Sequence, residues 1–167
     1  MMSASVRQEI FMRILFMCTA NSCRSILSEA IFNHLAPAGF EAVSSGSFPK
    51  GQVLPRTLKT LRQSGISTEG LSSKGNDAFE HCPPDIVITV CDKAAGESCP
   101  VYFGPALKAH WGLEDPSDVV GDENVVNTAF VSTLGRIERR CRAFFELPFS
   151  SLTADSLKRE LDRIAAI

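Results

Sequence analysis

A short apolar run that stops at small polar residues and resumes as a helical pattern sets the first limit on this fold. Met12–Met17 (MRILFM) reads as a buried strand. The loop Cys18-Thr-Ala-Asn-Ser-Cys-Arg24-Ser25 follows. In SILSEAIFNHLA, Ile26, Leu27, Ala30, Ile31 and Leu35 then recur at helical spacing until Pro37 and Gly39 close the segment. Phe40–Ser44 reads as a second strand. Leu54–Ser64 reads as a helix with Leu54, Leu58 and Leu61 on one face and Gly65 as its stop. Asp85–Val90 (DIVITV) is the clearest strand, β-branched and almost wholly apolar, as a central parallel strand covered on both faces must be. Lys108–Trp111 gives a short fourth strand. Asn127–Leu147 is a long amphipathic helix. A last helix begins at Thr153, with Leu152 and Leu157 as a hydrophobic staple. The alternation predicts an α/β domain over residues 12–167, a doubly wound, four-stranded parallel sheet flanked by helices, with residues 1–11 as a leader.

Composition excludes several classes. The 167 residues suit one domain, and 44% hydrophobic with 22% charged residues is ordinary for a globular protein. A net charge of −2 argues against nucleic acid or an acidic membrane as the main partner. No stretch approaches the ~20 apolar residues of a membrane span. The apolar part of the N-terminal segment is short and broken by Arg13, unlike a secretory signal. A cytoplasmic location and a monomer are the expectations. In a reducing compartment, six cysteines call for chemistry, metal or burial rather than structural disulfides.

The chemistry begins at the loop after the first strand. A cysteine, five residues and an arginine between strand and helix suit a tetrahedral oxyanion. The backbone N–H groups of Thr19, Ala20, Asn21, Ser22, Cys23, Arg24 and Ser25 can turn inward, and the following helix adds its positive end. Arg24 can grip two oxygens in a fork. The same positive field favours Cys18 as an attacking thiolate. Asn21 can brace the loop, and Ser22 and Ser25 can donate to the thiolate or the anion; Cys23 reads as packing. The bland alternative is a small strand-end Cys18 and a surface Arg24.

In a doubly wound sheet, sites form beyond the carboxyl ends of the strands. Cys18 and Cys91 each stand at such an end. Asp115, followed by Pro116 after the fourth strand, can act as the general acid that a departing oxygen needs; alone, an Asp-Pro is a simple turn. Cys99 follows Cys91 across seven small or polar residues, too wide for usual zinc spacing. The two are either isolated thiols or partners joined by movement of the insert. Cys82 reads as a loop thiol and Cys141 as core. His34, His81 and His110 show no ligand spacing. Arg136, Arg139, Arg140 and Arg142 read as a solvated helix face, or as a surface for an acidic partner.

Three segments in order, CTANSCRS with the following SEA, VITVCDKAAGESCP and HWGLEDPSD, resemble the thioredoxin-linked arsenate reductases of the low-molecular-weight tyrosine-phosphatase superfamily, over about Met12 to Ile137. The resemblance implies reduction of arsenate to arsenite for arsenic detoxification. It makes Cys18 the attacking thiolate, Arg24 the oxyanion clamp, Asp115 the acid, and Cys91 and Cys99 the further redox cysteines. Asn21 and Ser25 match loop-supporting positions. Glu29 matches a glutamate that in some members helps hold a monovalent cation near Asn21. No tightly bound cofactor is implied. Reducing equivalents come from a thiol donor, thioredoxin, with glutathione and glutaredoxin as the alternative.

Two other functions share part of this set. A tyrosine phosphatase would use Cys18, Arg24 and Asp115. It would have no need of Cys91 and Cys99, and Ser117-Asp118-Val119-Val120 offers no ring to grip a tyrosine substrate. A non-catalytic redox sensor or anion-binding module would explain reactive cysteines without turnover, but not an intact nucleophile, clamp and acid together.

Overall fold

The structure is a computed structural model, and it describes residues 12–102 and 104–167. The leader expected over residues 1–11 lies outside the described residues. Four parallel strands form one sheet: β1 (Met12–Cys18), β2 (Phe40–Gly46), β3 (Ile86–Thr89) and β4 (Leu107–His110), in the order β2-β1-β3-β4. The helices are α1 (Arg24–Leu35), α2 (Pro55–Gln63), α3 (Glu123–Phe145) and α4 (Ala154–Ile164). This is the expected α/β fold, a four-stranded parallel sheet flanked by helices. Among the described residues, no helix is long and apolar enough to cross a membrane.

The central strands have both faces buried, which is why they read as unbroken apolar runs. Ile14, Phe16, Ile86 and Ile88 enter the larger core with Leu27 and Ile31 of α1, Phe130, Ile137 and Phe144 of α3, and Leu161 and Ile164 of α4. Leu15, Met17 and Val87 point to the other face, where Val43, Phe79, Tyr102 and Ala106 cover them. That second cover comes from a short 3-10 turn at Asn76–Phe79 and an irregular segment rather than from a full helix.

Helix ends follow local chemistry. Gly65 (φ +72) closes α2, with Ile66 N–H donating to Leu61 O at 2.9 Å and Gly65 N–H to Arg62 O at 3.1 Å, a Schellman pattern. The buried stripe of α2 runs through Thr57, Thr60 and Leu61, and Leu58 is only half-buried. Thr57 is turned inward because its Oγ1 donates to Ser22 O at 3.1 Å, tying α2 to the loop after β1. Helix α3 starts four residues before the expected Asn127. Asp122 caps it by accepting from Val125 N–H at 3.0 Å; Glu123, Asn124 and Val125 of its first turn are exposed, and Val126 alone extends the apolar spacing there. Thr153 caps α4 in a reciprocal pair with Ser156, with Leu152 and Leu157 packed against the core.

Register then assembles the site. Cys18 is level with Gly46, Met17 with Thr89, and Thr89 with His110. Because all strands are parallel, Cys18, Gly46, Cys91 and the turn after His110 arrive at one edge of the sheet.

Candidate active site

The loop from Cys18 to Arg24 is held from outside by its carbonyls. Cys18 O accepts from Ser47 N–H (3.2 Å), Thr19 O from Phe48 N–H (2.9 Å), Ala20 O from Lys50 N–H (3.0 Å) and Ser22 O from Leu54 N–H (3.0 Å). All peptide bonds here are trans, so each outward carbonyl turns the next residue's N–H the opposite way. The Asn21 N–H accordingly reaches Cys18 Sγ at 3.3 Å. Asn21 takes the left-handed conformation (φ +47), which Asn tolerates, and is fully buried. Its Nδ2 donates to Ser25 Oγ (2.7 Å) and Ser44 Oγ (3.0 Å), and its Oδ1 accepts from Lys74 N–H (2.9 Å). Ser25 Oγ lies 2.9 Å from Cys18 Sγ. Helix α1 has Cys23 at its N-cap position with no side-chain cap hydrogen bond, so its first N–H groups face the loop. At Gly46 a Cβ would stand 2.5 Å from Thr19 O, so only glycine lets β2 end beneath the loop.

Arg24 is buried, yet all its contacts are acceptors. Its Nη1 and Nη2 donate to Glu97 Oε2 and Oε1, each at 2.7 Å. Nη1 also donates to Leu113 O at 3.1 Å, and Nη2 to Asp115 Oδ2 at 3.3 Å. Burial opposes the charge on Arg24, but the Glu97 hydrogen bonds and the two carboxylates outweigh it and raise the pKa above its ordinary value. Asp115 Oδ1 accepts from Ser117 N–H (2.9 Å) and Ser117 Oγ (2.6 Å), which fixes the carboxylate at the mouth of the loop. A hollow of about 360 Å³ opens here, lined by Arg24, Asp92, Ala95, Gly96, Glu97, Asp115 and Asp118. The structure thus brings together the expected nucleophile loop, clamp and acid.

Cys91 and Cys99 are joined as a disulfide with a Cα–Cα distance of 5.7 Å. Sequence alone left them as isolated thiols or partners; the fold makes them partners. Asp92 Oδ1 accepts from Ala95 N–H at 3.2 Å and Gly96 (φ +83) reverses the chain, which folds the insert back. His110 Nδ1 lies 2.8 Å from Thr89 Oγ1 and 3.8 Å from Cys99 Sγ. Burial, with Lys93 and Arg140 nearby, pushes the imidazole below its ordinary range. Among the described residues, Cys91, Cys99 and His110 are the one group of three potential metal ligands within 4.8 Å of one another. Sequence spacing missed it because β4, eleven residues on, supplies the third member. The disulfide engages both sulfurs.

Glu29 tests the expected cation. Its Oε1 accepts from Ser44 Oγ at 3.0 Å and lies 3.7 Å from Lys74 Nζ. Burial pushes its carboxyl up, against Lys74 and Ser44. The lysine already brings the positive charge that a monovalent ion would supply, so these residues fit a lysine-neutralised carboxylate better than an ion cage. The arginine run is corrected: Arg140 is buried, and donates to Gly112 O (3.0 Å) and Ala165 O (2.9 Å), strapping the turn after β4 to the C-terminal segment. An arginine in a run of four reads as surface until its carbonyl partners are known.

The remaining cysteines sort by environment. Burial pushes both Cys23 and Cys141 up to about 12, while Cys82 is exposed. At pH 8 the thiolate fraction of the buried pair is then about one part in 10⁴. Iodoacetamide applied to the native protein should label Cys82 and leave Cys23 and Cys141 intact. Labelling of either at the rate of Cys82 would contradict this.

A parallel four-stranded sheet with an arginine-clamped cysteine loop at its carboxyl edge defines a class, and the chain belongs to the low molecular weight phosphotyrosine protein phosphatase family, whose pattern matches residues 13–162. Within that class it is similar to an arsenate reductase of Oceanobacillus iheyensis, 30% identical over 131 residues, covering 78% of this chain and 93% of the relative. A thioredoxin-dependent arsenate reductase of Corynebacterium glutamicum superposes with a TM-score of 0.59 at 26% identity, over 84% of this chain and 63% of that one. An arsenate reductase of Archaeoglobus fulgidus shares the fold, with a TM-score of 0.63 at 24% identity over 77% and 98% of the two chains.

Proposed function

We propose that this protein reduces arsenate to arsenite in the cytosol by a thiol relay through Cys18, Cys91 and Cys99, with thioredoxin as the thiol donor. The observation that carries the reading is the Cys91–Cys99 bridge at the same sheet edge as the Cys18 loop. A phosphatase needs the loop but not the bridge. The similarity to arsenate reductases, one of them thioredoxin-dependent, supports the substrate and the donor.

In this mechanism the inward N–H groups of Thr19 to Ser25 and the Arg24 guanidinium receive the oxyanion. Asn21 N–H and Ser25 Oγ steady the Cys18 thiolate. Cys18 Sγ attacks arsenic; an oxygen leaves as water, taking a proton from Asp115, and a Cys18–arsenic adduct remains. The Cys91 thiolate then attacks Cys18 Sγ. The S–As bond breaks, its electron pair stays on arsenic, As(V) becomes As(III), and arsenite departs. Cys99 attacks Cys91, frees Cys18 as a thiolate and leaves the bridge seen here. An external dithiol returns two electrons and two protons. Weak aryl phosphatase activity accompanies this function, because the first displacement is shared.

A turnover assay with arsenate and a thiol reductant tests the reading. A reductase consumes reductant only when arsenate is present; a phosphatase cleaves an aryl phosphate efficiently without it; a sensor does neither. Asp115→Asn is expected to lower turnover by roughly 10²–10⁴-fold, the worth of a general acid, and to change anion binding much less. Unaltered turnover would remove Asp115 from the mechanism.

A further inference from the structure

The clamp that should hold the oxyanion is held by the chain itself. Glu97 presents its two carboxylate oxygens to the two terminal nitrogens of Arg24, each at 2.7 Å, the fork that Arg24 would offer to two oxygens of a bound oxyanion. Glu97 Oε2 also accepts from Asp92 N–H at 2.8 Å, so the carboxylate is fixed from its own segment as well. Glu97 and Asp92 both lie within the ring closed by Cys91 and Cys99, whose sequence separation is 8. Asp92, Asp115 and Asp118 complete an acidic rim around the same hollow. In this oxidised form an incoming dianion meets an occupied clamp and a wall of carboxylates.

We propose that Glu97 is a positioning residue of the relay: its carboxylate and the oxyanion alternate on Arg24. This rests on the arsenate-reductase reading. While the oxyanion is bound, Glu97 is displaced and the segment 92–99 is released. When arsenite leaves, Arg24 recaptures Glu97 and carries Cys99 toward Cys91. Glu97 moves no electrons; it sets when Cys99 can reach the Cys18–Cys91 disulfide. The oxidised enzyme stays closed to a second oxyanion until a dithiol opens the bridge. The pair remains ionised through the neutral range, since the Arg24 hydrogen bond holds the Glu97 carboxyl below its ordinary value.

Phosphate is a probe that binds the loop without redox chemistry. Its affinity is measured by calorimetry for the full chain, fully reduced and with the Cys91–Cys99 bridge verified by mass spectrometry. The wild type is expected to bind phosphate at least tenfold more weakly when oxidised. Glu97→Gln should abolish that difference by raising the oxidised affinity, and Glu97→Ala should do the same if the glutamine variant folds poorly. In turnover, Glu97→Gln should lower the KM for arsenate yet also lower kcat, with Cys18–Cys91 accumulating; a merely structural role would not move the two in that way. Equal phosphate affinity of oxidised and reduced wild type would overturn the proposal, as would an oxidised affinity that Glu97→Gln and Glu97→Ala leave unchanged. Neither result depends on arsenate turnover. A wild type that binds phosphate in this redox-dependent way but never consumes reductant with arsenate would overturn the arsenate reading instead.

Discussion

Replacing Cys18 by Ser is expected to abolish arsenate reduction and aryl phosphate cleavage together, by a factor on the order of 10⁶, the scale of losing an enzyme's nucleophile. Cys18 is buried at the end of β1, with its sulfur 3.3 Å from Asn21 N and 2.9 Å from Ser25 Oγ. A hydroxyl there keeps the hydrogen bonds but is not ionised near neutral pH and attacks weakly. The fold should survive, since Ser and Cys differ little in size and the loop carbonyls keep their partners. Circular dichroism and phosphate binding check that point. Persistence of either activity near the wild-type rate would remove Cys18 as the nucleophile, and with it every later step.

The second large effect falls on the relay. Cys99→Ser should allow one arsenite per protein and then stop, with Cys18 joined to Cys91. Cys91→Ser should release no arsenite, while retaining the aryl phosphatase side activity that needs only Cys18, Arg24 and Asp115. The two variants separate the first displacement from the redox steps. Repeated turnover by Cys99→Ser with thioredoxin would show that the donor reaches Cys18–Cys91 directly. Nonreducing mass spectrometry after arsenate treatment identifies the stalled species.

Much of this architecture is legible in the residues because it is local. MRILFM and DIVITV are apolar on both faces since β1 and β3 lie inside the sheet, and the Cys18–Arg24 loop announces itself between a strand and a helix. Long-range partnerships are not legible. Glu97 is one acidic residue in an insert, and nothing nearby in sequence says that Arg24, 73 residues away, receives it. His110 lies 11 residues from Cys99, and only the register of β4 brings them together. Gly46 could have been suspected as a glycine ending a strand, but its reason is the Thr19 carbonyl above it. Arg140 looks like its exposed neighbours in sequence and differs only in the carbonyls it finds. The start of α3 is faint because Glu123, Asn124 and Val125 face solvent, which leaves Val126 as the one residue of the first turn that extends the hydrophobic spacing.

The relay is tested most directly by the state of three sulfurs after one turnover. Fully reduced wild-type protein is mixed with arsenate and no added reductant, arsenite is quantified, and the chain is alkylated, proteolysed and mapped by mass spectrometry. The expected result is one arsenite per protein, Cys91 joined to Cys99, and Cys18 free. Finding Cys18, Cys91 and Cys99 all reduced beside one equivalent of arsenite would contradict the relay, because the two electrons on arsenic would then have come from outside these residues.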